Sequence, residues 1–209
     1  MKGRKPSHVM NRDAYNAIAE FWDQTRHAFY GREKTYLDTF LHSLPVPSPI
    51  LDLGCGTGRP MAEYVLNRGH ALTGIDQAVR LLERAKARLP AGAWIESTIE
   101  AFETEDRFAG VVCWDALFHI PRKYHPSILA RIARMLIPGG RLMLTVGGSE
   151  HPPFTDTMFG ETFFYDSFPP DKVLSMLAAL GFQPLIAEFM NEPTSGRDKG
   201  RYAIVARMT

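Results

Sequence analysis

Residues 50–58 place a short apolar run directly before a glycine-rich turn, in the order Ile-Leu-Asp-Leu-Gly-Cys-Gly-Thr-Gly. The apolar run predicts a buried strand, and Pro60, which suits the start of a helix, predicts that a helix follows the turn. Because glycines lack a β-carbon, the backbone of such a turn can approach a ligand, and the helix directs free N–H groups at it. This feature restricts the chain to folds that bind a ligand where a strand ends.

Short apolar runs alternate with helical patterns from about residue 50 onward, which is typical of an α/β fold with a parallel sheet. Strands are expected at residues 50–53, 71–75, 93–95, 110–114 and 141–146. Helices are expected at residues 78–89, 128–136 and 173–180. Two further apolar segments, at 184–189 and 202–208, flank a turn-rich stretch and predict a closing hairpin. We therefore expect the sheet to end antiparallel.

Composition limits the class of partner. The 209 residues suit one domain over 1–209, and 24 basic against 23 acidic residues give a net charge of +1. A nearly neutral chain predicts a small-molecule partner and no nucleic acid. No apolar run reaches the roughly 18 residues of a membrane span, and the start lacks a signal peptide, so no membrane partner and a cytoplasmic location are expected. The pattern is compatible with a monomer or a homodimer.

Cysteine and histidine usage predicts neither a disulfide framework nor a metal site. Cys55 and Cys113 are the two cysteines, too few for either, and we expect both to be free thiols. The histidines show no metal-ligand spacing. A bound metal is therefore not expected.

Asp76 ends the second expected strand, about twenty residues after the glycine turn. A carboxylate at this position can accept hydrogen bonds from both hydroxyls of a ribose, or it can cap the following helix. A dinucleotide site requires a third glycine in Gly-x-Gly-x-x-Gly, and Arg59 occupies that position. The spacing therefore argues against an NAD-dependent oxidoreductase, which remains an alternative.

The turn reads Asp52-x-Gly54-x-Gly56-x-Gly58, and this resembles the first motif of the class I S-adenosylmethionine-dependent methyltransferases. The resemblance covers most of the chain and includes residues 74–76, 114–115, 136–140 and 181–182. It implies a single Rossmann-like sheet of seven strands, mostly parallel with an antiparallel C-terminal strand, helices on both faces and an N-terminal helical lid. It also implies transfer of a methyl group from S-adenosylmethionine to a small-molecule acceptor, with S-adenosylhomocysteine as the product.

The resemblance assigns the glycine turn to the cofactor. Gly54, Gly56 and Gly58 would form the floor under the methionine part and the ribose, with Cys55 in the same turn. Asp52 would position the loop and the amino group of the cofactor.

Further cofactor contacts follow from the matching positions on the next strands. Asp76 would hold the ribose hydroxyls, and Gln77 would lie beside the adenosine. Thr98 and Ile99 would lie at the edge of the adenine ring, while Trp114 would lie near the methionine carboxylate and the sulfonium.

Two segments outside the sheet are expected near the site. The amphipathic stripe that contains Tyr15 and Trp22 predicts a helix within an N-terminal lid, residues 1–46, which the family often folds over the cofactor. Residues 147–169 are rich in aromatic side chains, and they form either a satellite core or a cover on an acceptor pocket.

His119 is the candidate catalytic residue. It lies just beyond the fourth expected strand, where α/β sheets build their clefts, and it could accept the proton of a hydroxyl acceptor. A histidine beside Phe118, Ile120 and Pro121 is more often a hydrogen-bonded packing residue, and this role is the alternative for His119. A protein that binds the cofactor only as a scaffold or regulatory subunit is the second alternative for the whole chain.

Overall fold

The computed structural model describes residues 5–195 and 198–209. Its strands are β1 (Pro49–Leu53), β2 (Ala71–Asp76), β3 (Ala93–Glu96), β4 (Phe108–Cys113), β5 (Leu136–Gly147), β6 (Phe154–Met158), β7 (Glu161–Tyr165), β8 (Phe182–Asn191) and β9 (Arg201–Met208). Its α-helices are α1 (Ser7–Ala17), α2 (Ala19–Thr25), α3 (Glu33–Leu41), α4 (Met61–Asn67), α5 (Val79–Arg88), α6 (His125–Met135) and α7 (Pro170–Ala179). Residues 1–4 of the expected lid and residues 196–197 lie outside the described range.

Seven strands form the main sheet in the order β3-β2-β1-β4-β5-β9-β8. Strands β1 to β5 are parallel, and β9 runs antiparallel to both β5 and β8. The expected sheet is therefore confirmed, including its antiparallel end. The strand order reverses between β1 and β4, and a sheet of this type opens a crevice at such a point.

The core has two layers because alternate residues of a strand point to opposite faces of the sheet. One face carries Leu51, Val111 and Leu142 and is covered by α6 and α7. The other face carries Ile50 and Val112 and is covered by α3 and α4. Each helix of the described chain is too short or too polar to cross a lipid bilayer.

The expected N-terminal helix is divided into α1 and α2. The division falls at Ile18, whose backbone lies outside the helical region at φ −94° and ψ 8°. Tyr15 and Trp22 are on different helices but their rings still meet edge to face, with centroids 5.4 Å apart. The amphipathic stripe was thus located correctly, whereas the break within it was not predicted.

Two connections differ from the sequence expectation. The strand expected at residues 141–146 begins earlier, at Leu136, because α6 already ends at Met135. The aromatic segment forms a separate two-stranded sheet from β6 and β7. Consecutive aromatic residues in β7 conceal the alternation that identifies a strand, which is why this hairpin was not predicted.

The β6–β7 hairpin packs on α1, and we call these two elements the cap. Phe163 of the hairpin is fully buried against Ala14 and Ile18 of the N-terminal segment. Tyr15 packs on the same cluster, with its ring centroid 4.8 Å from that of Phe163. The cap therefore has a small core of its own above the edge of the main sheet.

Candidate active site

A cleft opens at the carboxyl ends of β1, β2 and β4, at the point where the strand order reverses. It is lined by most of the residues singled out from the sequence: Tyr15, Trp22, Asp52, Gly54, Cys55, Gly56, Asp76, Gln77, Ile99, Trp114 and His119. The main sheet supplies the floor of the cleft, and the cap with α2 supplies its roof.

The glycine turn is fixed to the neighbouring strand by its backbone. The N–H groups of Gly54 and Cys55 both donate to the carbonyl of Ile75, at 2.9 and 3.0 Å. Gly54 has a φ of +82°, and a β-carbon there would lie only 2.6 Å from the β-carbon of Ala116. Glycine at this position is therefore required twice, by the backbone conformation and by the close approach of the chain after β4.

Asp76 connects the turn to the start of α5. Its Oδ2 accepts from the N–H of Gly56 at 2.9 Å, and its Oδ1 accepts from the N–H of Ala78 at 2.8 Å. Each carboxylate oxygen can accept a second hydrogen bond, so both remain able to bind a hydroxyl. Burial raises the pKa of Asp76, while the backbone donors oppose that shift.

Gln77 lies beside Asp76 in the cleft, and its buried Oε1 has no hydrogen-bond partner among the described residues. A buried acceptor without a donor is costly, and it indicates a ligand donor in the same place. Together with Asp76, the floor therefore offers acceptors to a ligand that carries hydroxyl or amino groups.

Asp52 lies near the carboxyl end of β1, and only 3% of its surface is exposed. Burial, reinforced by the nearby charge of Asp76, raises the pKa of Asp52 to about 7. A carboxyl group held in this state favours a cationic group in the cleft, because such a group would compensate its buried charge.

Gly58 and Thr98 do not line the cleft, unlike the other residues singled out from the sequence. A β-carbon on Gly58 would meet the side chains of Leu89 and Trp94, at 2.8 and 3.1 Å, so this glycine serves the packing of α5 and β3. The Thr98 hydroxyl accepts from the N–H of Ala101 at 3.1 Å and caps the next turn. Cys55 and Cys113 are both buried free thiols.

Residues 50–140 match the family model described as a methyltransferase domain. The trans-aconitate 2-methyltransferase of Methylobacterium nodulans is 29% identical over 140 residues, which cover 63% of this chain and 52% of that protein. A ubiquinone biosynthesis O-methyltransferase of Xanthomonas axonopodis pv. citri is 28% identical over 150 residues, covering 66% of this chain and 61% of that protein. The chain thus spans between about half and three-fifths of the length of these curated relatives.

Two solved structures share the whole fold. The 1,6-didemethyltoxoflavin-N1-methyltransferase of Burkholderia thailandensis, with S-adenosylhomocysteine bound, superposes with a TM-score of 0.70 at 22% identity, covering 100% of this chain and 93% of that one. The N-methyltransferase NodS of Bradyrhizobium japonicum, also with S-adenosylhomocysteine, gives a TM-score of 0.71 at 18% identity, covering 98% and 99%. Residues 50–140 thus match a methyltransferase domain, and the chain has the same fold as these two methyltransferases.

The roof of the cleft is joined to its floor through His119. The Nδ1 of His119 lies 2.9 Å from the carbonyl of Phe164, which can only accept, so Nδ1 carries the proton. Its Nε2 then accepts from the Tyr15 hydroxyl at 2.9 Å. Burial lowers the pKa of His119 to about 4, so the ring is neutral at pH 7.

Asn11 is a second connection within the roof, and the sequence did not indicate it. This fully buried side chain donates to the carbonyls of His119 and Phe164, at 3.0 and 3.2 Å, and accepts from the N–H of Phe164 at 2.8 Å. It joins α1 to the hairpin and to the loop after β4. An isolated polar residue in an amphipathic helix gave no signal of this role.

A group of paired charges lies below the roof beside Trp114, also unforeseen from the sequence. Arg26 forms a bidentate pair with Glu33, at 2.7 and 2.9 Å, and the indole of Trp114 donates to the same carboxylate at 2.9 Å. Asp115 pairs with Arg201 through both nitrogens Nε and Nη2. The two guanidinium groups are thus balanced by two carboxylates. Among the described residues, no group of three or more potential metal ligands occurs.

Proposed function

We propose that this chain transfers a methyl group from S-adenosylmethionine to a small-molecule acceptor. The observation that carries the proposal is the pair Asp76 and Gln77 at the edge of the glycine turn. Asp76 keeps acceptor capacity on both oxygens, and Gln77 presents a buried oxygen without a partner. A nucleoside supplies hydroxyl and amino donors for both.

The rest of the floor fits the other parts of the same cofactor. Asp52 compensates the ammonium group, and Gly54, Cys55 and Gly56 provide a turn open enough for the methionine part and the ribose. Ile99 faces the adenine, and Trp114 lies near the sulfonium, whereas Gly58 and Thr98 act by shaping the loops. Tyr15 and Trp22 cover the cofactor from the roof, and a β-carbon on Gly56 would lie 3.6 Å from the indole nitrogen of Trp22.

S-adenosylmethionine supplies, when bound, a methyl group on a positively charged sulfur, so catalysis consists mainly in orienting the acceptor and excluding water. Asp52, Asp76 and Gln77 would hold this methyl donor in the cleft, and Tyr15 and Trp22 in the roof would limit the access of water.

His119 acts as a positioning residue in this proposal, holding the hydroxyl of Tyr15 over the cleft. A base whose conjugate acid has a pKa of about 4 takes a proton inefficiently near neutral pH, and Nε2 is already occupied by Tyr15. The alternative, in which His119 takes the acceptor proton, requires Tyr15 to move away first. It predicts that Tyr15→Phe keeps full turnover, whereas the positioning role predicts a loss.

The acceptor is small in this proposal, and neither a nucleic acid nor a membrane takes part. The similar proteins carry names that refer to trans-aconitate, ubiquinone biosynthesis and 1,6-didemethyltoxoflavin. The proposal extends to a cytoplasmic location, in keeping with the two buried free thiols. The monomer and the homodimer are both compatible with it.

Calorimetric titration with S-adenosylhomocysteine tests the proposal. We expect binding by the wild-type protein and binding weaker by roughly 10- to 100-fold in Asp76→Ala, because charge-assisted hydrogen bonds worth about 1.5 to 3 kcal/mol are lost. Asp171→Ala removes an exposed carboxylate from α7, outside the cleft, and should bind like the wild type. Thermal unfolding of each variant separates a lost contact from a loosened turn.

The results of these titrations distinguish the proposed function from its alternatives. No heat with the wild-type protein would contradict the proposal as a whole, and equal affinity of Asp76→Ala would remove this carboxylate from the site. Binding without turnover over a broad acceptor panel, together with a stable protein partner, would favour the scaffold alternative.

A further inference from the structure

A second cavity of about 510 Å³ lies beside the cleft, between the hairpin and the start of β9. This volume falls within the range of roughly 300 to 1,000 Å³ that is usual for small-molecule sites. Its aromatic walls come from Phe118, His151, Phe154 and Tyr165. Phe154 and Tyr165 face each other across the hairpin as a register pair, and their rings are stacked 5.3 Å apart at 17°. The cavity is thus bounded by flat rings in a fixed arrangement.

Only one layer of side chains separates this cavity from the cleft. The ring of Tyr165, in the cavity wall, lies 4.8 Å from the ring of His119, in the cleft wall. Arg201 lines the cavity and is bound to Asp115, which lines the cleft. A group held in the cavity therefore lies on one side of this layer, and the cofactor would lie on the other side.

Charged side chains also line this cavity: the carboxylates Asp156, Asp166 and Asp198 and the cations Lys199 and Arg201. Arg201 is bound to Asp115, and Glu33 lies 3.7 Å from the same guanidinium group. Arg122 binds Asp166 through its side chain and through its backbone N–H, the latter at 2.7 Å. An anionic ligand would have to compete with these carboxylates, so they disfavour an anion and leave ring stacking as the main source of affinity.

We propose that the cavity between the β6–β7 hairpin and β9 binds the acceptor, and that the acceptor is an uncharged molecule with a planar aromatic ring. This inference rests on the proposed function and specifies its substrate class. The ring stacks on the aromatic walls, and its polar substituent is directed at the layer formed by Tyr165, His119 and Asp115. Opening of that layer brings the substituent to the cofactor cleft.

Three probes of one skeleton test the proposal in the presence of saturating S-adenosylhomocysteine. The first is 2-naphthol, which is planar and uncharged at pH 7; the second is decahydro-2-naphthol, which is saturated and not planar; the third is 2-naphthoate, which is planar and anionic. Calorimetry should show 2-naphthol binding at least 10-fold more tightly than either of the others. Equal binding of the saturated alcohol, or of the anion, would overturn the assigned class.

Two variants of the hairpin locate the probe. Phe154→Leu keeps apolar volume but removes a stacked ring, and it should weaken 2-naphthol by roughly 2- to 10-fold. Phe159→Leu is the matched control, because Phe159 is 48% exposed at the hairpin turn and does not line the cavity. Equal weakening in both variants, or in neither, would overturn the location.

The test also distinguishes this inference from the function on which it rests. Binding of S-adenosylhomocysteine without binding of 2-naphthol would overturn the aromatic acceptor site and leave the proposed function standing. Absence of S-adenosylhomocysteine binding would overturn the proposed function, and the cavity would then lose its role as an acceptor site whatever it binds.

Discussion

The floor and the roof of the cleft are held by different kinds of interaction. In the floor, the backbone N–H groups of Gly54 and Cys55 are bonded to the strand beside them. In the roof, side chains make the connections: Asn11 joins α1 to the hairpin, and Tyr15 reaches His119. A floor fixed by the backbone tolerates few changes of conformation, whereas a roof fixed by side chains can be loosened one contact at a time.

The largest expected effect comes from two glycines with the same backbone conformation. Gly54 in the floor has a φ of +82° and Gly160 in the roof a φ of +83°, but only Gly54 has atoms within 4 Å of an added β-carbon. Gly160→Ala should cost about 1 to 2 kcal/mol in unfolding free energy, from the left-handed conformation alone. Gly54→Ala should cost roughly 2 to 5 kcal/mol, because overpacking is added. Denaturant unfolding measures both, and equal costs would refute the close packing of the floor.

The pH dependence of stability should have opposite signs in the two regions. The pKa of Asp52 is about 7 in the folded protein, against 3.8 for an unperturbed aspartate. The contribution of Asp52 to the free energy of unfolding is therefore complete below pH 3.8 and is lost as the pH rises toward 7. The pKa of His119 is about 4 in the folded protein, against 6.5 for an unperturbed histidine. The contribution of His119 to the free energy of unfolding is therefore complete above pH 6.5 and is lost as the pH falls toward 4.

Single variants should reveal how each group changes stability with pH. Relative to the wild type, the unfolding free energy of Asp52→Asn should rise by up to roughly 4 kcal/mol as the pH rises from 4 to 7. The unfolding free energy of His119→Gln, again relative to the wild type, should rise by up to roughly 3 kcal/mol as the pH falls from 6.5 to 4. Unfolding free energies from pH 4 to 8 provide the test, and parallel profiles for all three proteins would contradict the buried positions of both groups.

A smaller effect is expected for the polar connection within the roof. Asn11→Ala leaves the N–H of Phe164 without its acceptor and removes one of the two donors to the carbonyl of Phe164, so it should cost roughly 1 to 3 kcal/mol. Hydrogen exchange at the Phe164 amide should accelerate more than exchange in β1. Asn16→Ala, on the same helix, removes an exposed bond to the backbone of Arg80 and is the control. Unchanged exchange at Phe164 would show that the roof is held by its apolar contacts instead.

The smallest effect is expected for the contact between Tyr15 and His119. Tyr15→Phe removes one hydrogen bond and should cost roughly 0.5 to 1.5 kcal/mol in stability. If His119 acts by positioning Tyr15, both this variant and His119→Gln should lose kcat, and to a similar extent. Tyr124→Phe, at a tyrosine that is 43% exposed, is the control. Full activity of Tyr15→Phe together with an inactive His119→Gln would return the histidine to the role of a base.

The floor could be predicted from the sequence because its information is local. The strand and turn at 50–58 are contiguous, and Asp76 follows at a fixed offset that parallel pairing of β1 and β2 converts into proximity. The roof could not be predicted in the same way. Asn11 and Phe164 are 153 residues apart, and nothing in either segment alone indicates the other.

The site also contains properties that depend on packing and not on residue type. The sequence identifies His119, but its protonated nitrogen follows only from the carbonyl of Phe164, and its low pKa only from burial. Gly58 belongs to the motif, yet its neighbours Leu89 and Trp94 give it a packing role. Motif spacing therefore predicted residues that line one cleft, whereas the tertiary surroundings determine what several of them can do.

The separation of the two halves of the cap along the chain has a consequence for biosynthesis. A nascent chain that has reached residue 120 already includes the glycine turn, Asp76 and His119, together with α1. It still lacks the hairpin at 154–165, without which Asn11 has no partner in β7. During translation the surface that we propose to bind the nucleoside is thus synthesised before its cover is complete.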